Sequence, residues 1–211
     1  MENLRILLLG TMAGVLALAN PAKAGWPEKP IQFIIPFGAG GGADIEGRLI
    51  AKAMSTVLGQ PVVPVNKPGG GGAITYTYVK NSKPDGYTVA WNSTSVLTST
   101  NIGNVPFEYT ALDHIGQVAQ QPVPFVVKKS ARWNTLKDFM DECKAKPGTL
   151  KVAFAGFGSA THMAGVAMTQ LSGCKAIMLP VKGPDRRKMI LSGETDAAVD
   201  QYARILPLIN F

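Results

Sequence analysis

The sequence predicts an α/β fold made of two successive sets of βαβ units. Three observations carry the prediction. Short β-rich runs alternate with helical stretches, glycine-rich turns stand where a strand gives way to a helix, and Pro122-Val123-Pro124 interrupts the alternation past its middle. Such alternation requires crossover connections, which place right-handed βαβ units on a mostly parallel sheet. The 211 residues, 46% hydrophobic and 17% charged, accommodate one or two globular domains and exclude a disordered chain.

The first 24 residues read as a leader. Arg5 precedes the uncharged run Ile6 to Ala19, and the small-x-small triplet Ala22-Lys23-Ala24 follows. These are the three parts of a secretory signal peptide, with cleavage expected after Ala24; an uncleaved N-terminal anchor is the alternative. The run is too short to span a bilayer comfortably and no later segment is better, so an integral membrane subunit is not expected.

From residue 25 the elements follow in order. Ile31 to Ile35 reads as a strand and Asp44 to Leu58 as a helix, with Ile45, Leu49, Ala53 and Val57 as its apolar stripe and Gly59 as its C-cap. Strand Val62 to Val65, helix Ala73 to Lys80 and strand Tyr87 to Trp91 come next. Val105 to Gln121 has weak periodicity, and a domain crossing is placed at Pro122 to Pro124, giving lobes at 25–124 and 125–211. The second lobe begins with strand Phe125 to Val127 and helix Leu136 to Lys146, capped by Asn134 or Thr135. After the Pro147-Gly148 turn come strand Leu150 to Phe154, a helix from about Ala160 to Leu171, strand Ala176 to Leu179, a short helix around Asp185 to Leu191 and strand Ala197 to Val199.

The net charge is +7 and stays basic without the leader, which favours anions near the surface. The basic residues are scattered, and Lys128-Lys129 and Arg186-Arg187-Lys188 read as solvated loops or helix faces, so nucleic acid is not expected as a partner. Cys143 and Cys174, 31 residues apart, fit no zinc pattern, and His114 and His162 do not lie at ligand spacing from them, so no metal is expected. A disulfide between the two and a pair of separate buried thiols both remain open.

The turn Gly38-Ala39-Gly40-Gly41-Gly42-Ala43-Asp44 lets backbone approach a ligand closely and places free helix N–H groups where they favour an anion. Its match to G-x-G-x-x-A is weak as a dinucleotide signal, because the next strand ends in Val65-Asn66-Lys67 with no acidic residue for a ribose. Neither glycine cluster is followed by a Walker lysine, and Pro68-Gly69-Gly70-Gly71-Gly72 reads as a flexible turn. Ala155-Gly156-Phe157-Gly158-Ser159-Ala160-Thr161-His162 repeats the strand, turn and helix-start logic, so two helix N-termini from two lobes would face one carboxylate across a cleft. Ser159 and His162 also allow a rival reading, a secreted α/β hydrolase, although G-x-S-x-G is not met; N-capping by Ser159 explains the same pair without catalysis.

Trp26-Pro27-Glu28-Lys29-Pro30-Ile31, Pro36-Phe37 with Gly40-Gly41 and Asp44, Asn66-Lys67-Pro68-Gly69, Lys83-Pro84-Asp85-Gly86-Tyr87-Thr88, Lys146-Pro147-Gly148, Gly158-Ser159 with His162, and Lys182-Gly183 together resemble the Bug-type solute-binding proteins of tripartite tricarboxylate transporters, from Gly25 to about Asp200. The resemblance implies a periplasmic protein of type II periplasmic-binding-protein architecture. Its two lobes would close over a small carboxylate, as a monomer, and deliver it to membrane transporter subunits without chemistry or cofactor. By position it implies ligand contacts from Gly40, Gly41 and Asp44, from Ser93, Thr94 and Ser95, from Ser159, Thr161 and His162, and from Asp200 near the far rim. Asp44 equally reads as a cap for its helix.

The chain departs from the family's pattern in two respects. Val181 stands between Pro180 and Lys182 where the family usually has an aromatic, which is expected to remove a ring from the cleft. The chain is also short against that pattern, so the second lobe and the return to the first are expected to be incomplete, as in a C-terminally truncated and nonfunctional fragment.

Overall fold

The computed structural model describes residues 25–120 and 122–209; the expected leader lies outside the described residues. The first sheet holds β1 (Ile31–Ile35), β2 (Val62–Asn66) and β3 (Thr88–Ala90) in the order β2-β1-β3, all parallel. Helices α1 (Gly42–Leu58) and α2 (Ala73–Lys80) connect them, and α3 (Ser95–Asn101) follows β3. Central β1 is apolar nearly throughout because both its faces are covered; Ile31, Phe33, Ile34 and Ile35 are buried.

Helix α1 turns a different face inward from the one its four-residue repeat suggests. Ile45, Leu49, Ala53 and Val57 are exposed, Val57 at 84%. The buried face is Ala43, Gly47 and Ala51, flanked by half-buried Ile50, Met54 and Leu58. Small residues win because the helix lies close on β1: a Cβ at Gly47 would stand 2.9 Å from the Ile35 side chain. The larger stripe, two positions along, has no such fit.

The second sheet holds β4 (Phe125–Val127), β5 (Lys151–Phe154), β6 (Ile177–Pro180) and β7 (Ala197–Val199) in the order β4-β7-β5-β6. Strand β5 runs parallel to β6 and β7, while β4 pairs antiparallel with β7 through Phe125↔Val199. Helices α4 (Leu136–Ala145), α5 (Ala160–Ser172) and α6 (Gly183–Ser192) link the strands, and α7 (Tyr202–Ile209) follows β7. Trp133, Phe139, Val152 and Val199 form the centre of one core face, with the Phe139 ring edge-on to both Trp133 and Phe125.

Thr135, rather than Asn134, caps α4. Its hydroxyl accepts the Asp138 N–H at 3.1 Å and the Asp138 carboxylate accepts the Thr135 N–H at 2.9 Å, a reciprocal pair that satisfies two helix donors. Cys143 of α4 is bonded to Cys174, just past the end of α5, with Cα atoms 5.2 Å apart; of the two open readings of the cysteines, the structure has the disulfide. Helices α3 and α7 are additions to the sequence reading. The run Ser95-Val96-Leu97-Thr98-Ser99-Thr100-Asn101 has weak helix propensity, and Pro207 lies inside α7. In α3 tertiary burial of Ser95, Val96 and Ser99 supplies what propensity lacks. Among the described residues no helix is long and apolar enough to cross a membrane.

The disulfide closes a loop of 31 residues over the second core. Urea unfolding of the oxidised protein against the Cys143→Ser/Cys174→Ser variant should show a loss of about 3–4 kcal/mol. Coincident curves would show that the crosslink constrains nothing the unfolded chain does not already lack.

Candidate functional site

The turns after β1, β2, β3, β5, β6 and β7 all reach one cleft of about 520 Å³ between the two sheets, at the carboxyl ends of their parallel strands. This is where open α/β sheets place ligands, because the helix N-termini that follow the strands point the same way. The Pro68–Gly71 segment, expected as a turn alone, forms part of the wall. Gly71, with φ +65°, lies so close to the Phe157 carbonyl that a Cβ there would stand 2.2 Å from its oxygen. At the other edge a Cβ on Gly183 would come within 2.9 Å of the Gly41 backbone. Backbone thus meets backbone at both ends of the cleft, which only glycine permits.

Three helices, α1, α5 and α6, begin at this cleft, and their first residues Gly42, Ala43, Ala160, Thr161 and Gly183 line it. First-turn N–H groups have no partner within their own helix and carry partial positive charge. Hydroxyl groups add to them. Ser159 caps α5 by accepting the His162 N–H at 3.2 Å, and its Oγ lies 2.9 Å from that of Thr161, which accepts the Ala155 N–H at 2.9 Å. One hydroxyl must donate to the other, so one hydroxyl proton of the pair is left over at the cleft wall. On the opposite wall Ser93 lies 2.9 Å from Ser95, whose Oγ meets the hydroxyl of buried Tyr76. Burial pushes the Tyr76 phenol up to about 12 against the opposing bonds from the serines, so it stays protonated.

Eight of the ten residues singled out by position fall into two groups. Gly41, Ser93, Ser159 and Thr161 line the cleft. Gly40, Asp44, Ser95 and His162 stand behind it. The Asp44 carboxylate accepts the Gly40 N–H, Arg48 Nε–H and an Asn66 Nδ2–H, each at 2.9 Å, and so holds the turn before α1. His162 accepts the Gly158 N–H at Nδ1 and packs between Phe154 and Phe157; burial lowers its pKa, which favours the neutral ring. Its ring does not face the Ser159 hydroxyl, whose partners are Thr161 Oγ1 and the His162 backbone, so the nucleophile and base of a hydrolase are not assembled. Thr94 is exposed and lies outside the lining. Val181 points away from the cleft into a small core with Ala153 and Ala198, so the cleft is not where an aromatic would be missed.

Asp200 departs furthest from expectation. It is buried at 3% exposure rather than placed at a rim, and two arginines share it. Arg186 donates from Nη2 to Oδ1 at 2.7 Å and from Nε to Oδ2 at 3.3 Å; Arg204 donates from Nε to Oδ2 at 3.0 Å. Arg186, expected on a solvated face, is 2% exposed and lines the cleft, while its neighbours Arg187 and Lys188 are exposed. Arg204 reaches from α7 to the Gly40 carbonyl at 3.0 Å and so ties the second sheet's end to the first glycine turn. Burial lowers the Arg204 pKa against the pull of Asp200, with Arg186 and Arg187 adding to the lowering. The sequence signal missed here was the pairing of Arg186 with an acidic residue at the end of a buried strand.

A second hollow, of about 340 Å³, lies over the Trp133 and Phe139 core. Its polar members Asn134 and Thr135 are engaged in the cap of α4, which leaves it an apolar dimple.

A family model described as "Tripartite tricarboxylate transporter family receptor" matches residues 47–210. The chain is similar to protein BugT of Bordetella pertussis, at 30% identity over 217 aligned positions that take in all of this chain and 67% of BugT. Of solved structures, the periplasmic binding protein BugD superposes with a TM-score of 0.80 at 29% identity, over 88% of this chain and 63% of BugD. MatC from Rhodopseudomonas palustris with bound malate superposes with a TM-score of 0.78 at 24% identity, over 88% of this chain and 64% of MatC, a likeness of fold. The chain therefore spans roughly two thirds of the length of these relatives.

The Asp44 cluster makes a prediction about pH. Burial alone would raise this carboxyl, but the bonds from Arg48, Gly40 and Asn66 and the Arg48 charge outweigh it and hold it below the usual carboxylate range. Its stabilising contribution is complete above the unfolded value of about 3.9 and is lost as pH falls through the lower folded value. Asp44→Asn should therefore be about 1–2 kcal/mol less stable than wild type at pH 6 and should lose less stability than wild type between pH 5 and 3. Parallel pH profiles for the two proteins would refute the assignment.

Proposed function

Because the chain belongs to the tripartite tricarboxylate transporter receptor family, we propose that it is an extracytoplasmic solute-binding protein that captures a small carboxylate in the cleft and hands it, unreacted, to the membrane subunits of such a transporter. The observation that carries the reading is the convergence of three helix N-termini and their free N–H groups on one cleft. At about 520 Å³ the cleft suits a small molecule. In this reading residues 25–124 and 125–211 act as two lobes of a single copy. The backbone of Gly41 and the hydroxyls of Ser93, Ser159 and Thr161 touch the ligand; Gly40, Asp44, Ser95 and His162 hold those groups in position. Thr94 takes no part, and Asp200 acts from behind the wall. The protein works in the periplasm after removal of residues 1 to 24.

Titration calorimetry with succinate, malate, adipate and citrate, each against its amide, tests the ligand class. Each helix N-terminus favours an anion by about 0.3–1 kcal/mol, so at least one acid should bind about tenfold or more tightly than its amide. Equal binding of acid and amide, or no binding of any acid, would overturn the reading. Intact mass of the exported protein tests the leader: the expected product starts at Gly25, and a species retaining residues 1 to 24 would contradict it.

A further inference from the structure

The charges at the cleft do not balance. Asp200 carries one negative charge and faces two guanidinium groups, Arg186 and Arg204; Asp200 and Arg186 are buried and Arg204 is partly buried. The other acceptors are carbonyl oxygens, Val181 for Arg186 at 2.9 Å and Gly40 for Arg204 at 3.0 Å, which orient a cation without neutralising it. A surplus of one positive charge is therefore held in a partly desolvated place, which is costly unless a counter-charge comes close. Arg186 is the member that lines the cleft.

Its donors show how it is held. Of the five N–H bonds of a guanidinium, Asp200 takes one from Nε and one from Nη2, and the Val181 carbonyl takes one from Nη1. One N–H on each terminal nitrogen remains for an anion to accept. Because Asp200 and Val181 hold the group in place, little side-chain freedom is lost when an anion arrives.

We infer that Arg186 is the charge-reading residue of the cleft: a ligand carboxylate takes up the surplus positive charge of the Arg186–Asp200–Arg204 cluster, and an amide of the same shape leaves it unmatched. The inference rests on the carboxylate reading above and adds to it the residue that sets specificity. Arg204 is a positioning residue, which supplies the second positive charge and tethers the cluster to the Gly40 turn.

The test is the ratio of acid to amide affinity, measured with the four acids above on the whole chain. Arg186→Gln should weaken binding of the acid about 10- to 100-fold with little change for the amide, and the ratio should collapse. Arg204→Gln leaves a neutral Arg186–Asp200 pair and should lower the ratio about 3- to 10-fold. Arg187→Gln, which removes the same charge from an exposed neighbour on α6, should change it less than about twofold. Thermal unfolding by circular dichroism identifies any variant that fails to fold; if Arg186→Gln does, Arg204→Gln decides. A ratio unchanged in the folded variants, or an equal fall in Arg187→Gln, overturns the assignment to Arg186. If the wild-type chain binds none of the acids, the carboxylate reading itself falls, a result distinct from binding with an unaltered ratio.

Discussion

A parallel strand cannot be followed by a hairpin; the chain must climb back outside the sheet before the next strand can start. That constraint organises this molecule. Strands β1, β2 and β3 in one sheet and β5, β6 and β7 in the other all run the same way as their parallel neighbours, so every helix that follows one of them begins near the same end. Facing those ends toward each other brings glycine turns, helix N-termini and short hydroxyl side chains into one cleft from six separate stretches of chain.

Polar groups behind the cleft are paired in a way that fixes what the front offers. Asp44 fastens the Gly40 amide, Ser95 and Tyr76 fasten Ser93, and Thr161 fastens the Ala155 amide beside Ser159. Each arrangement uses up the donors and acceptors that would otherwise compete for a ligand, and each leaves a defined remainder. The same logic governs the Asp200 cluster, where the remainder is charge rather than a hydrogen-bond site.

Much of this was legible in the sequence because it is local. The alternation of strands and helices, the Thr135 cap and the capping role of Ser159 depend on neighbours three or four residues away. What was hidden depends on distance along the chain. The burial of Arg186 follows from Asp200, fourteen residues on and across a strand, and the wall position of Gly71 follows from Phe157 in the other half. The face of α1 was misjudged because periodicity marks apolar side chains by size, whereas the close approach to β1 selects for small ones such as Gly47 and Ala51. Helix α3 was missed because its serines and threonines are poor helix formers whose hydroxyls return to the backbone of the same helix, as Thr98 does to Thr94 and Thr100 to Leu97.

The antiparallel pairing of β4 with β7 puts Asp200 beside the point where the chain enters the second sheet. The chain crosses into the second sheet at Pro124, and the Pro124 carbonyl accepts the Asp200 N–H at 3.2 Å. If the halves rotate about that crossing, Asp200 lies close to the pivot and sweeps a short arc. The charged centre would then behave as a stationary anvil on which the cleft closes.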